Sequence, residues 1–260
     1  MLLATAKIAT AGSSSRKPFE SFRVFTLIQN RTHLPQPLSA DIDDHSAVPG
    51  SWERYLAGFL IFAYASGSLA HTLPAVLPIT RYTTDGLLLV INGLLLYSLY
   101  RRNGDARLWW WLIAAYCFTF AAEAVGVATG AIFGEYAYGP TMWWQWLGVP
   151  FVIAINWCVL TLATNDLAER MVGRRPWLAA ALASVLIALY DVAIEPVAVA
   201  LDYWQWGGGE IPLRNYLMWA VVAFIISLPL QLMGIRYRSP VLLVYLLAQL
   251  FFFLVLNIAL

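Results

Sequence analysis

Asp191 and Glu195 stand four residues apart in YDVAIEP, inside WLAAALASVLIALYDVAIEPVAVAL (177–201), a run that carries no other charge. At i and i+4 the two carboxyls share one helical face, ~6 Å apart along the axis. Two carboxylates that close in a low dielectric do not both ionise, so the pair holds a proton at neutral pH and presents an acid beside a base. A carboxylic acid kept neutral by apolar surroundings can protonate a weakly basic group, an alkene among them. Protonating a trisubstituted isoprenoid double bond gives a tertiary carbocation, which Trp and Tyr ring faces stabilise without trapping it covalently. Water oriented by a second carboxylate would complete a hydration. Pro196 follows directly, where a helix kinks and frees the carbonyl of Val192 to accept another bond or line a cavity.

The elements that must hold such a pair are membrane helices. Of 260 residues, 60% are hydrophobic and 12% charged, and the mean hydropathy of +0.66 lies well above that of a soluble domain. Seven stretches approach or exceed the ~20 apolar residues that cross a bilayer: roughly 55–73, 85–100, 108–130, 149–168, 177–200, 216–235 and 240–260, the second being the shortest. Basic residues collect in short cytoplasmic loops. Fourteen of the sixteen Lys and Arg fall in the N-terminal region up to Arg54 and in the second, fourth and sixth connections, leaving only Arg81 and Arg214 on the other side. The expectation is an all-α polytopic bundle of seven spans with a cytoplasmic N-terminus, a multi-pass protein of the cell membrane. Residues 1–53 read as a flexible cytoplasmic tail and 54–260 as the transmembrane domain. The acid-poor start also fits an organellar transit segment or a start codon assigned too far upstream, and DIDD (41–44) precedes the membrane with no second acidic cluster facing it. A net charge of +1 with no basic stripe outside the loops argues against nucleic acid as a partner. Cys117 and Cys158 fall inside spans, as packing residues.

Depth along each span follows from ~1.5 Å per residue. Asp191, Glu123, His71 and Glu195 come out ~21, ~22, ~24 and ~27 Å from the inner boundary, and Asn92 and Asn156 ~10 Å from the outer one. Asp85 and Asn215 stand at the outer ends of their spans. All fall in the outer half, and intramembrane carboxyls, costing at least ~2.5 kcal/mol each, normally face a bundle interior and mark a site. The outer connections FGEYAYGPTMWWQWLGVP and DYWQWGGGEIPLRNY add Trp and Tyr, about half assigned to the interfacial belt and the rest to the surroundings of the acids. Glu135 could fold over the same pocket. The bland alternatives are an interhelical clamp of the carboxyls with Asn92, Asn156 or His71, and His71 as an interfacial histidine with a satisfied ring.

GEYAYGP (134–140), GVPFVIAINW (148–157), YDVAIEPVA (190–198) and YWQWGGGEIPLRNYLMW (203–219), in that order on seven spans, resemble the integral-membrane carotenoid hydratases that act on lycopene-type (ψ) end groups, the bisanhydrobacterioruberin and γ-carotene hydratase type. The resemblance covers roughly 55–250; the first 50 residues match nothing in it. It implies a hydro-lyase of carotenoid biosynthesis that adds water across the terminal double bond of a C40 or C50 carotenoid, without redox cofactor or metal. The implied substrate is lycopene, γ-carotene or a C50 precursor within the bilayer, with other carotenoid-pathway enzymes as partners. It also implies that Glu123, Glu135, Asn156, Asp191, Glu195 and Asn215 belong to shared motifs, without assigning them roles. The roles come from the chemistry above: Asp191 or Glu195 as the acid, its partner or Glu123 positioning water, and Tyr138, Trp204 and Trp206 lining the cation, with Asn156, Trp157, Asn215 and Glu135 around it.

Other classes fare less well. A retinal-type receptor or pump needs a lysine in the last span, and the only lysines are Lys7 and Lys17. A membrane prenyltransferase needs paired Asp-rich motifs, and a zinc hydrolase His-Glu-x-x-His; neither occurs. A proton-coupled transporter would continue its polar residues into the inner half, where little stands beyond Gln231 and Gln249. It remains an alternative, as does a carotenoid- or isoprenoid-binding protein.

Overall fold

The structure, a computed structural model, describes residues 50–260; residues 1–49, with nearly all of the expected tail and DIDD, lie outside the described residues. Among the described residues seven helices follow one another: α1 Ser51–Thr72, α2 Leu77–Arg102, α3 Ala106–Thr129, α4 Phe151–Val172, α5 Pro176–Ala200, α6 Leu213–Leu232 and α7 Pro240–Ala259. The chain is an all-α polytopic bundle, and α2 to α7 are each long and apolar enough to cross a membrane.

The second span is not the short one. It is the longest helix, 26 residues, and α1 is the helix that falls outside the length-and-apolarity criterion. TRYTTD at the start of α2 lowers its hydropathy, yet the helix runs through it, and Thr80, Thr83 and Thr84 satisfy their hydroxyls on carbonyls three or four residues back. Pro78 in the first turn lacks only a donor that has no helical partner there.

α4 is the central helix, touching α2, α3, α5, α6 and α7, while α1 packs between α2 and α7. Its small residues, Ala154, Cys158, Ala163 and Ala168, are fully buried and let its neighbours approach closely. Toward the arginine-rich end, polar residues exceed the two glutamines expected there. Gln231 donates to Asn165 Oδ1 at 2.9 Å, and Asn165 donates to Ser227 Oγ at 2.8 Å and to the Thr161 carbonyl at 2.9 Å. The set clamps α4 to α6.

The two ends of the bundle are stitched separately. At one, Asn103 donates to the Arg236 carbonyl, Arg107 to that of Met233 and Arg174 to that of Gly234, joining the α2–α3, α4–α5 and α6–α7 connections. At the other, the connections expected as loops hold short strands: β1 Tyr136–Tyr138, β2 Gln145–Trp146, β3 Val149–Pro150 and β4 Trp204–Trp206. β2 and β3 form a hairpin whose turn, Leu147–Gly148, has positive φ at both positions. β1 pairs antiparallel with β4, Tyr136 opposite Trp206 and Tyr138 opposite Trp204, so one ribbon joins the α3–α4 and α5–α6 connections.

Pro196 does not end α5, which continues to Ala200. Val192 is 51% exposed and does not line the cavity described below, contrary to one of the two roles expected for it.

Candidate active site

The two-residue period of a strand sends alternate side chains to one face. On the β1–β4 ribbon Tyr136, Tyr138, Trp204 and Trp206 share the face turned into the bundle, while Ala137 and Gln205 are exposed. Cross-strand ring contacts hold the four in place, 5.2 Å between the Tyr136 and Trp206 centroids and 5.8 Å between those of Tyr138 and Trp204.

Their polar tips converge on two carboxyls. Glu123 of α3 accepts from Tyr136 OH at 2.5 Å and Tyr138 OH at 2.9 Å on one oxygen, and from Trp157 Nε1 at 2.9 Å on the other. Glu195 of α5 accepts from Trp204 Nε1 at 3.0 Å and Trp206 Nε1 at 2.9 Å on Oε2, and from Asn215 Nδ2 at 2.9 Å on Oε1. Burial, and then the Glu123 charge, push the Tyr136 and Tyr138 hydroxyls well above the ordinary tyrosine range, so both remain donors. Below them Trp157 stacks on Trp219 at 4.1 Å. Glu123, Glu195 and the rings border a common cavity.

Eight of the ten expected site residues line that cavity: Glu123, Tyr138, Asn156, Trp157, Glu195, Trp204, Trp206 and Asn215. Asn156 accepts there from Tyr245 OH at 2.9 Å. Asp191 and Glu135 do not line it. Asp191 is fully buried one turn further along α5, tied to the site through Asn215, whose Nδ2 donates to Asp191 Oδ2 at 2.7 Å. Glu135 is exposed because β1 turns its tyrosines inward and carries the preceding side chain past the rim. The expected belt is also partly visible: Trp143, Trp144 and Trp146 point outward.

Sequence reasoning missed the contributions of α1, α2 and α7. Tyr64, His71, Thr84, Tyr203 and Gln249 complete the cavity wall. The signal was present in Tyr64, His71, Thr84 and Gln249 as a polar group within an apolar or near-apolar helix, and in Tyr203 as an aromatic of the α5–α6 connection, but nothing in the spacing tied the five together.

A sequence model described as "Carotenoid biosynthesis protein" matches residues 85–260, which include most of the cavity wall. The chain belongs to this family. Bisanhydrobacterioruberin hydratase of Haloarcula japonica is 30% identical to it over 140 residues, covering 49% of this chain and 47% of that protein. The chain thus spans about half the length of the curated relative it matches. No solved structure matches. Within the carotenoid biosynthesis family, the part of this chain that matches begins at Asp85, so α1, which supplies Tyr64 and His71, precedes it.

Proposed function

We propose that this chain hydrates the terminal double bond of an acyclic (ψ) carotenoid end group, as a carotenoid 1,2-hydratase. The observation that carries the reading is Glu195: the member of the acid pair that reaches the cavity, with three donors waiting on its oxygens. Asp191 and Glu195 share Asn215 and hold one proton between them. As that proton passes to the less substituted alkene carbon, charge develops on Glu195, where Trp204, Trp206 and Asn215 already point. Donors that act on charge appearing in the transition state lower the barrier more than they favour the resting state. Glu123, held by its own three donors, sets a second negative charge against the tertiary cation, and the rings of Tyr138 and Trp157 face the same space. Water then adds to the cation. The balance is alkene plus water to tertiary alcohol. Asp191 acts through Asn215 as a positioning residue.

The family description and the relative's name support a carotenoid substrate, which we read as lycopene, γ-carotene or a C50 precursor drawn from the bilayer of the cell membrane. Pigment extracted from a lycopene-producing host expressing the chain tests the reading. A product heavier by one water is expected; unchanged lycopene that copurifies with the chain would make it a carotenoid-binding protein instead.

Trp206→Phe removes the indole N–H while keeping an aromatic ring beside Tyr136, and it also gives up the packing of the lost five-membered ring. A hydrogen bond to a charged group is worth ~1.5–3 kcal/mol, so the hydration rate falls by roughly 10- to 100-fold. An unchanged rate in membranes carrying equal amounts of protein would show that Glu195 carries no charge at the barrier.

A further inference from the structure

We infer that His71 is the base that takes the proton of the attacking water, with Thr84 and Tyr203 as positioning residues; this rests on the hydration reading above. The three side chains come from α1, α2 and the residue before β4, and all line the cavity.

The proton count singles out one nitrogen. His71 Nδ1 lies 2.7 Å from the Gly67 carbonyl, which can only accept, so Nδ1 carries the hydrogen and Nε2 of the neutral ring keeps its lone pair. Around Nε2 two hydroxyls have two hydrogens for three acceptors. Tyr203 OH is 2.8 Å from Thr84 Oγ1, and Thr84 Oγ1 is 3.0 Å from the Thr80 carbonyl, whereas Nε2 lies farther from each hydroxyl, at 3.3 Å from Thr84 and 3.5 Å from Tyr203. The shorter pair of contacts uses both hydrogens and leaves Nε2 open to a donor arriving in the cavity. Burial raises the Tyr203 hydroxyl above its ordinary range, so it stays a donor in this chain. Phe252 meets the imidazole edge-on at 5.4 Å and fixes its plane.

The acids offer less room for water. Glu123 and Glu195 each already accept three hydrogen bonds, and Asp191 does not border the cavity. A water that donates to Nε2 turns a lone pair toward the cation. As its C–O bond forms, one O–H bond breaks and the proton passes to Nε2. One proton leaves the carboxyl pair and one is gained by His71; return of that proton to the pair before the next turnover resets both groups, so the reaction consumes only the alkene and one water.

His71→Asn tests this, because the Asn amide can still donate toward the Gly67 carbonyl while offering no basic nitrogen. Membranes from a lycopene-producing host are incubated in D₂O with wild type, His71→Asn, Tyr203→Phe and Glu195→Gln. The expected result for His71→Asn is a loss of hydroxycarotenoid of about 100-fold or more, with deuterium appearing in the end group of recovered lycopene. That pattern arises because the cation still forms and then returns a proton. Tyr203→Phe should show a smaller loss with the same label, and Glu195→Gln neither product nor label. Hydration at the wild-type rate in His71→Asn overturns the assignment, and so does loss of both product and label, which would place His71 in the acid step or the fold. A wild-type chain that yields neither product nor label sinks the hydration reading itself, a failure visible without any variant.

Discussion

Replacing Glu195 by Gln lowers hydroxycarotenoid yield by about 100- to 10,000-fold, the range for loss of a positioned general acid. Gln has the shape of the protonated acid and keeps an oxygen for Trp204 and Trp206. Its amide nitrogen then meets Asn215 Nδ2, and the conflict is relieved when the Asn215 amide turns to present its oxygen, which then accepts from Asp191 as the one carboxyl left to hold the pair's proton. The fold survives and the transferable proton does not. Asp191→Asn should cost less, because Asp191 lies outside the cavity and reaches Glu195 only through Asn215. Pigment analysis of the two variants beside wild type checks both the size and the order. Full yield from Glu195→Gln removes Glu195 from the mechanism, and a larger loss from Asp191→Asn would reverse the two roles.

Gly139→Ala is expected to abolish most hydration while leaving the seven-helix bundle assembled. A Cβ at Gly139 would stand 2.1 Å from the Asp202 carbonyl oxygen, a backbone atom, and Gly139 N–H already donates to the Tyr203 carbonyl at 2.8 Å. The chain on one side or the other must move by more than an ångström to reach ordinary contact. Overpacking of this kind costs ~1–3 kcal/mol, an amount a bundle with independent contacts along its helices tolerates. The catalytic cost is larger. Residues 202 and 203 lead straight into β4, so the displacement reaches the Trp204 and Trp206 donors 2.9–3.0 Å from Glu195. A misplacement of 1 Å can cost about 100-fold in rate. Hydroxycarotenoid yield, set against the amount of folded protein in the membrane, measures it; a variant with normal yield would show that the ribbon does not position the acid's donors.

Much of the architecture was legible from hydropathy and from the placement of arginines, because lipid punishes an unpaired polar backbone and leaves long apolar helices as the solution. Where that signal failed, at the start of α2, the threonine hydroxyls are satisfied within the helix itself, so residues that lower hydropathy do not end it. The acids and their aromatic partners were legible for a related reason: a carboxyl in lipid needs donors, and the outer loops contained them. Spacing alone put Asp191 and Glu195 on one face, yet one helical turn separates a side chain that borders the cavity from one buried behind Asn215. The β1–β4 ribbon could not be read from either segment alone, since YAY and WQW are strands only because each finds the other across the bundle mouth. His71 looked like an ordinary interfacial histidine because the hydroxyls that define its environment lie 13 and 132 positions away.

Among the described residues, every donor to Glu123 and Glu195 is a neutral phenol, indole or amide, and no Lys or Arg lines the cavity. On the hydration reading, the pocket is therefore an electrostatic mould lacking its positive half, which a hydrocarbon supplies only for the lifetime of the carbocation. A prenyl-like amine carries that charge permanently, in the size and shape of the intermediate. Tertiary-ammonium analogues of the end group should accordingly act as transition-state mimics, inhibiting at concentrations where their uncharged hydrocarbon counterparts do nothing.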